Sequence, residues 1–279
     1  MTDRMSSTAN VPIPRIIYGT AWKKADTERL VRTAIQQGFR GIDTACQPKH
    51  YDEAGVGAGV ASCLDDQLTR ADLYLQTKFT ALSGQDPMRI PYDSKAPLST
   101  QVAQSFAASL RNLQTPYLDC LILHSPFAKA QQTLEAWRAM ESLAAAGGVR
   151  QLGISNCYNL DELKALHDAA SIKPAVVQNR FYADTGYDRG IRAFCNKQRI
   201  IYQCFWTLTA NPHALAHATI KGLASKYRRT TAQILFRYLT QSGVVPLTGT
   251  RSEAHMREDL GLFEFELAES ERAAVDEIW

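Results

Sequence analysis

The chain has 279 residues, 45% of them hydrophobic, and 31 basic and 28 acidic side chains give it a formal net charge of +3. This length can bury one large core, so we expect a single domain. No basic run is interleaved with aromatic residues, which argues against a nucleic-acid partner. No apolar run reaches the ~18 residues of a membrane span, and the polar start at 1–10 lacks the apolar core of a signal peptide. We therefore expect a cytoplasmic protein with no membrane partner.

The cysteines and histidines do not form a recognisable metal-binding pattern. Six cysteines are scattered without Cys-x-x-Cys spacing, and we expect all of them to be reduced. His213 and His217 are four residues apart and could share one helix face, but no third ligand follows at a matching spacing. We expect no metal site.

The first element in chain order is a short β-branched strand at 15–19, followed by a segment with helical periodicity. Asp26 is positioned to cap this helix, and Gly38 to end it. The next strand, 41–45, leads into a helix that contains three glycines within 55–59. Their spacing does not match a dinucleotide-binding fingerprint, so we interpret them as sites of close helix packing.

The same alternation of strand and helix continues to the end of the chain, including a long polar connection at 80–98 and two helices expected at 213–227 and 230–241. Alternating units of this kind favour a parallel sheet. Eight strands are predicted, at 15–19, 41–45, 73–79, 118–124, 150–156, 175–179, 200–205 and 243–248. The prediction is an α/β fold, a single-domain (β/α)₈ TIM barrel over 14–279, preceded by a flexible N-terminal segment at 1–13.

Three of these strands end on residues whose side chains are common in catalytic sites. Asp43, Lys78 and His124 each close an apolar strand, and Tyr51 follows Asp43 after a short polar loop. Taken alone, Asp43 could simply cap the next helix. Because the active sites of such barrels lie at the carboxyl ends of the strands, the three ends together predict one site.

Four motifs occur in order along the chain: GFRxIDTA at 38–45, SLxxLxxxYLD at 109–119, GISN at 153–156 and VQN at 177–179. With these motifs the chain resembles the aldo-keto reductases, and the resemblance extends from about residue 14 to the end. It implies a catalytic tetrad of Asp43, Tyr51, Lys78 and His124. Tyr51 would be the general acid that protonates the alkoxide formed by hydride transfer to a carbonyl.

The other tetrad roles follow from the same chemistry. Lys78 would favour the Tyr51 phenolate and lower the pKa of that phenol. Asp43 would pair with Lys78 and keep the ammonium charged in a buried site, and His124 would direct the carbonyl by a hydrogen bond.

The resemblance also implies a nicotinamide cofactor, NADPH, with NAD as the alternative. Ser155, Asn156 and Gln178 would bind the carboxamide, Phe205 would stack on the ring, and the phosphates would lie near the last two strands. The predicted cofactor-binding residues are Thr20, Asp43, Ser155, Asn156, Gln178, Phe205, Trp206, Leu208, Thr248, Gly249, Arg251, His255, Glu258 and Asp259.

Two segments depart from the family pattern. Residues 46–50 contain an insertion before Tyr51, and the turn after the eighth strand carries a single arginine, Arg251, where the 2′-phosphate would bind. The expected substrate is a small-molecule carbonyl compound in an open pocket, and the oligomeric state a monomer or a weak homo-oligomer. The predicted substrate-binding residues are Trp22, His50, Tyr51, His124 and Trp206.

Three functions are compatible with these features. The first is an NADPH-dependent carbonyl reductase. The second is a regulatory subunit that binds NADP and a partner protein. The third is a barrel with the same acid and base residues that catalyses a non-redox rearrangement or elimination.

Overall fold

A computed structural model describes residues 4–6 and 9–279 of the chain. Its centre is a closed barrel of eight strands in which each strand lies parallel to its neighbours. The barrel strands are β3 (Ile17–Gly19), β4 (Gly41–Asp43), β5 (Tyr74–Phe79), β6 (Cys120–Leu123), β7 (Leu152–Ser155), β8 (Val176–Arg180), β9 (Ile201–Phe205) and β10 (Val244–Thr248). Their order around the barrel is β10-β3-β4-β5-β6-β7-β8-β9. The predicted single-domain (β/α)₈ barrel is confirmed.

Helices surround this barrel and cover the outer faces of its strands. They are α1 (Thr27–Gln37), α2 (Glu53–Ala61), α3 (Leu98–Leu113), α4 (Ala130–Ala145), α5 (Leu160–Ala169), α6 (Arg189–Gln198), α7 (Pro212–Ala216), α8 (Ala218–Tyr227), α9 (Thr231–Gln241), α10 (Glu253–Leu260) and α11 (Glu269–Asp276). Large apolar side chains such as Trp137, Phe39 and Phe236 fill the layer between helices and barrel. A parallel sheet needs this cover because both of its faces are apolar.

An antiparallel hairpin precedes the barrel and pairs β1 (Arg4–Ser6) with β2 (Pro12–Pro14). Ile13 of β2 is fully buried and joins the apolar cluster inside the barrel, together with Ile17 and Val245. Because β2 extends to Pro14, this strand spans the boundary predicted between residues 13 and 14. The flexibility of residues 1–13 stays a prediction, and part of that segment lies outside the described residues.

In the first two strand–helix units, the predicted helix end and the predicted glycine packing agree with the structure, and the predicted helix cap does not. Gly38 ends α1 with φ 120°, a conformation that favours glycine, as predicted. Asp26 stands at the start of α1, but its side chain makes no capping bond because it pairs with Arg29 and Arg251 instead. A Cβ on Gly57 would collide with the carbonyl oxygen of Asn112 in α3, so this glycine does allow close helix packing.

One helix prediction was wrong in detail. The segment 213–227 forms two helices, α7 and α8, because His217 between them is extended, with ψ 141°. The His217 side chain accepts a hydrogen bond from the Thr219 amide and caps α8. His217 therefore caps α8 and does not share a helix face with His213, although their spacing of four residues would allow it.

Candidate active site

The carboxyl ends of the barrel strands, here called the barrel mouth, bring together Asp43, Lys78, His124 and Tyr51. Asp43 is the last residue of β4, Lys78 lies near the end of β5, and His124 follows β6. Tyr51 comes from the loop between β4 and α2. The four residues predicted as a tetrad therefore converge, although 81 positions separate Asp43 from His124 in the sequence.

Asp43 and Lys78 form an ion pair with 2.6 Å between Oδ1 and Nζ, and both side chains are almost fully buried. The Lys78 ammonium also donates to the carbonyl oxygen of Thr44 at 2.8 Å. Burial lowers the pKa of Lys78, and the Asp43 carboxylate partly opposes that shift. Separating such a pair would leave an uncompensated charge in the interior, so its geometry is strongly constrained.

Two glutamine amides add further donors to Asp43. The Nε2 atoms of Gln76 and Gln178 donate to Oδ1 at 2.7 and 2.9 Å. Both amides also donate to Oε1 of Gln203, whose own Nε2 donates back to Gln76 at 3.0 Å. We call these three fully buried side chains the glutamine layer. They hold the carboxylate from beneath the barrel mouth.

Tyr51 lies above the ion pair, with the Lys78 ammonium 5.3 Å from the centre of its ring. Burial, with a smaller contribution from the Asp43 carboxylate, raises the pKa of Tyr51 above its ordinary value. Burial sets the direction of this shift, and the predicted influence of Lys78 on the phenol stays a prediction. Tyr51 holds its proton at neutral pH.

The His124 ring meets the Tyr51 ring edge to face, with 6.1 Å between centroids. Burial, followed by the Lys78 charge, lowers the pKa of His124 to about 3. Its Nδ1 lies 2.6 Å from the Thr80 hydroxyl. If Nδ1 of a neutral imidazole accepts a hydrogen bond from this hydroxyl, the ring proton is on Nε2. That N–H group can then donate to a carbonyl oxygen.

The inserted loop at 46–50 is bonded to β5 and to the loops that follow β3 and β5. The Cys46 amide donates to the carbonyl of Lys78, and the Gln47 side chain donates to the carbonyl of Gly84. His50 stacks on Trp22 with 3.9 Å between ring centroids, and the Trp22 amide donates to the His50 carbonyl. These contacts direct Tyr51 to the ion pair, with the insertion accommodated at the rim.

The predicted nicotinamide-binding residues occupy adjacent strand ends. Ser155 ends β7 and donates to the carbonyl of Gln178, and the Asn156 side chain donates to the carbonyl of His124 at 2.9 Å. Asn156 has φ 51°, a left-handed conformation that asparagine tolerates. Phe205 ends β9 and is partly exposed at the barrel mouth.

The remaining residues predicted to bind the cofactor near these strand ends differ in exposure. Trp206 follows β9, is 51% exposed and also has a positive φ of 60°. Leu208 packs partly buried against the core. Thr20 is buried, and its hydroxyl donates to the carbonyl of Asp43 at 2.8 Å.

The turn after β10 contains the other predicted cofactor residues. Thr248 donates to the buried Asp259 carboxyl, and burial raises the pKa of that group to about 6. His255 is exposed with its Nδ1 3.5 Å from the Thr250 hydroxyl, while the Glu258 carbonyl accepts a hydrogen bond from Gln233.

Arg251, predicted to bind a 2′-phosphate, is engaged with the loop after β3. Its guanidinium donates to the Asp26 carboxylate at 2.9 Å and to the Trp22 carbonyl at 2.6 Å. Both charged side chains are about half exposed, so the pair is a weak one that an incoming anion can compete for.

The model of the Aldo/keto reductase family matches residues 15–279. The chain belongs to this family. As a family member it is an oxidoreductase that acts on carbonyl groups.

Individual relatives are of moderate similarity. A glyoxal reductase of Bacillus subtilis is 29% identical over 246 residues, which cover 88% of this chain and 81% of that protein. The crystal structure of an aldo/keto reductase from Brucella melitensis superposes with a TM-score of 0.85 at 25% identity and covers 100% of both chains. A Bombyx mori aldo-keto reductase in complex with NADP superposes with a TM-score of 0.82 at 24% identity, covering 100% of this chain and 93% of that one.

Three residues of the candidate site were not identified from the sequence. Gln76 and Gln203 complete the glutamine layer, and each lies two positions before a predicted site residue, Lys78 or Phe205, on the same face of its strand. Lys23 is buried, and its ammonium donates to the carbonyl of Gly249. Burial lowers the pKa of Lys23 to about 8, with Arg251 adding to the shift.

Among the described residues there is no cluster of three or more histidine, cysteine or acidic side chains that could hold a metal ion. Nor do residues 4–6 and 9–279 include a helix with the length and apolar character needed to span a membrane.

Proposed function

We propose that this protein reduces small aldehydes or ketones with NADPH, and that Tyr51 donates the proton. The observation that carries the proposal is the buried Asp43–Lys78 pair beneath Tyr51, with a neutral His124 beside the phenol. A carbonyl oxygen between Tyr51 and His124 would meet two donors that are already oriented. Fixed donors at the atom where negative charge develops stabilise the transition state of carbonyl reduction.

The residues present fit a nicotinamide cofactor. Asn156 and Ser155 offer polar groups beside an aromatic face, Phe205, and Lys23 places a buried cation at the turn after β10. Arg251 and the Thr250 hydroxyl supply further anion donors there. When bound, the reduced nicotinamide supplies the hydride. NADP is bound by the structurally similar Bombyx mori enzyme, which supports NADPH as the first cofactor to test.

The proton donor acts from the loop that contains the insertion. Because burial keeps Tyr51 protonated, the phenol transfers its proton only as the more basic alkoxide forms. The Lys78 ammonium then stabilises the phenolate that results. His124 holds the carbonyl oxygen through Nε2 and takes no part in the proton transfer, since its low pKa leaves the imidazole neutral.

A direct test is the loss of NADPH absorbance with glyoxal and 4-nitrobenzaldehyde, for the wild type and Tyr51→Phe. Glyoxal is chosen because the Bacillus subtilis relative is a glyoxal reductase. Loss of a general acid should lower kcat by about 10²-fold or more and leave NADPH affinity within about threefold.

His50→Phe is the matched variant for this test, because it retains the ring stacked on Trp22 and removes the imidazole. It should change KM more than kcat. Near-normal kcat in Tyr51→Phe together with a large loss in His50→Phe would reassign the donor to His50. NADPH binding with no turnover of any carbonyl would contradict a reductase. The cytoplasmic location and the oligomeric state stay predictions.

A further inference from the structure

Arg180 is the last residue of β8, and its side chain points to the barrel mouth. Side chains alternate along a strand. Gln178 faces the barrel interior, where it binds Asp43, and Asn179 faces outward, where it binds the Asp188 carboxylate at 2.6 Å. Arg180 therefore lies on the inner face again, one layer above Gln178 and in register with Phe205.

The Arg180 guanidinium rests on aromatic rings. Its Cζ lies 4.0 Å from the ring centre of Trp206 and 5.1 Å from that of Tyr182. Nε is buried and has no hydrogen-bond partner. No acidic side chain in the described part of the chain forms an ion pair with Arg180, whereas Arg70, Arg150 and Arg237 each have one.

A chain of hydrogen bonds connects Arg180 to the tetrad. The Arg180 amide donates to the Tyr158 hydroxyl, which donates to Oδ1 of Asn156. The Asn156 side chain then donates to the carbonyl of His124. The backbone of Arg180 is thus linked to His124, and its guanidinium lies at the end of β8, which is separated by one strand, β9, from the β10 that precedes the turn with Arg251.

A guanidinium that lies over an indole ring, with no side-chain hydrogen bond among the described residues, is suited to bind a carboxylate. We propose that Arg180 binds the carboxylate of an acidic carbonyl substrate, such as an oxo acid or a formylbenzoate, whose carbonyl is reduced at Tyr51 and His124. This inference rests on the proposed reductase function and specifies its substrate class. A phosphate of the cofactor is the competing anion, but Lys23 and Arg251 already provide cations at the turn predicted to hold the phosphates.

The test compares 4-carboxybenzaldehyde with its uncharged methyl ester, for the wild type and Arg180→Met. Methionine retains an apolar stem against Trp206 and removes the charge. The variant should lose about tenfold or more in kcat/KM for the acid, through KM, because a charge-assisted hydrogen-bonded pair is lost. Turnover of the ester should change by less than about threefold.

Two further variants distinguish a charge effect from a packing effect. Arg180→Lys retains the charge without the fork and should recover part of the preference for the acid. Arg192→Met removes another arginine seated on a ring, since Arg192 lies over Phe181 outside the barrel mouth. It should leave the ratio of acid to ester unchanged.

A binding measurement provides a readout other than turnover. Benzoate should inhibit the wild type competitively and inhibit Arg180→Met about tenfold less well, whereas uncharged benzamide should not distinguish the two. Equal losses for acid and ester would overturn the inference and indicate a structural role. Weaker NADPH binding with parallel losses would assign Arg180 to a cofactor phosphate. If the wild type turns over neither aldehyde, the proposed reductase function itself fails.

Discussion

The floor of the barrel mouth and the turn after β10 use charged residues in opposite ways. In the floor, Asp43, Lys78 and the glutamine layer are buried, and every contact among them is between residues that the barrel strands hold in place. In the turn, Arg251 is half exposed and pairs with Asp26 from a different loop. The first set is held by the fold, and the second is open to competition from solvent and ligands.

This difference shows that charge–charge interactions are strong where the charges are buried and weak where they are exposed. Buried charges interact in a low dielectric and are costly to separate, so they can fix the position of a proton donor. Exposed charges are screened and exchange partners at little cost, so they suit a ligand that must also leave. Catalytic positioning is therefore expected from the floor, and cofactor preference from the turn.

The largest expected effect comes from removing one charge of the Asp43–Lys78 ion pair in the floor. Lys78→Met should lower kcat by about 10³-fold, because the Tyr51 phenolate loses its cation and the buried Asp43 carboxylate loses the charge that balances it. Steady-state reduction of 4-nitrobenzaldehyde measures the loss of activity, and thermal unfolding measures the loss of stability.

Stability and catalysis are separated by a second variant. Asp43→Asn combined with Lys78→Met removes both charges and should recover stability while activity stays low. If the single variant retained more than about a tenth of the activity, the floor would not hold the catalytic cation.

A smaller effect concerns His124 and pH. The unfolded chain binds a proton on this histidine near its ordinary pKa of about 6.5, but the folded chain does not until about pH 3. The folded form therefore loses stability as the pH falls below about 6.5 toward 3, since only the unfolded form gains the proton.

Urea unfolding at pH 7 and pH 5 measures this loss. Between these two values, the free energy of unfolding of the wild type should fall more than that of His124→Gln, by on the order of 1 kcal/mol. Parallel losses in the two proteins would show that His124 is not held neutral by the fold.

The smallest effect is expected at the turn. Arg251→Ala should weaken NADPH binding by about fivefold and leave NADH binding unchanged, because the half-exposed guanidinium contributes only to the 2′-phosphate. Asp26→Asn removes the competing carboxylate and should strengthen NADPH binding. Titration by tryptophan fluorescence measures both cofactors.

An equal loss for NADPH and NADH would mean that Arg251 does not distinguish the cofactors. In that case the 2′-phosphate is held elsewhere, and His255, which is exposed beside Thr250, is the next residue to test.

The sequence carried enough information to predict the eight strands and the convergence of Asp43, Lys78 and His124. Each strand is a short apolar run, and parallel strands of a closed barrel place their carboxyl ends on one rim. Local signals were less reliable where a side chain had a stronger distant partner. Asp26 was predicted to cap α1 but pairs with Arg251, which lies 225 positions away.

What the sequence by itself determined is therefore the barrel and the residues at its strand ends, because both follow from periodicity along the chain. Only the tertiary structure decided how these groups behave. Burial raises the Tyr51 pKa against the expected influence of Lys78, and the glutamine layer is assembled from three different strands. The position of Arg180 over Trp206, without an acidic partner among residues 4–6 and 9–279, was likewise not predictable, because desolvation and pairing depend on which side chains lie nearby in space.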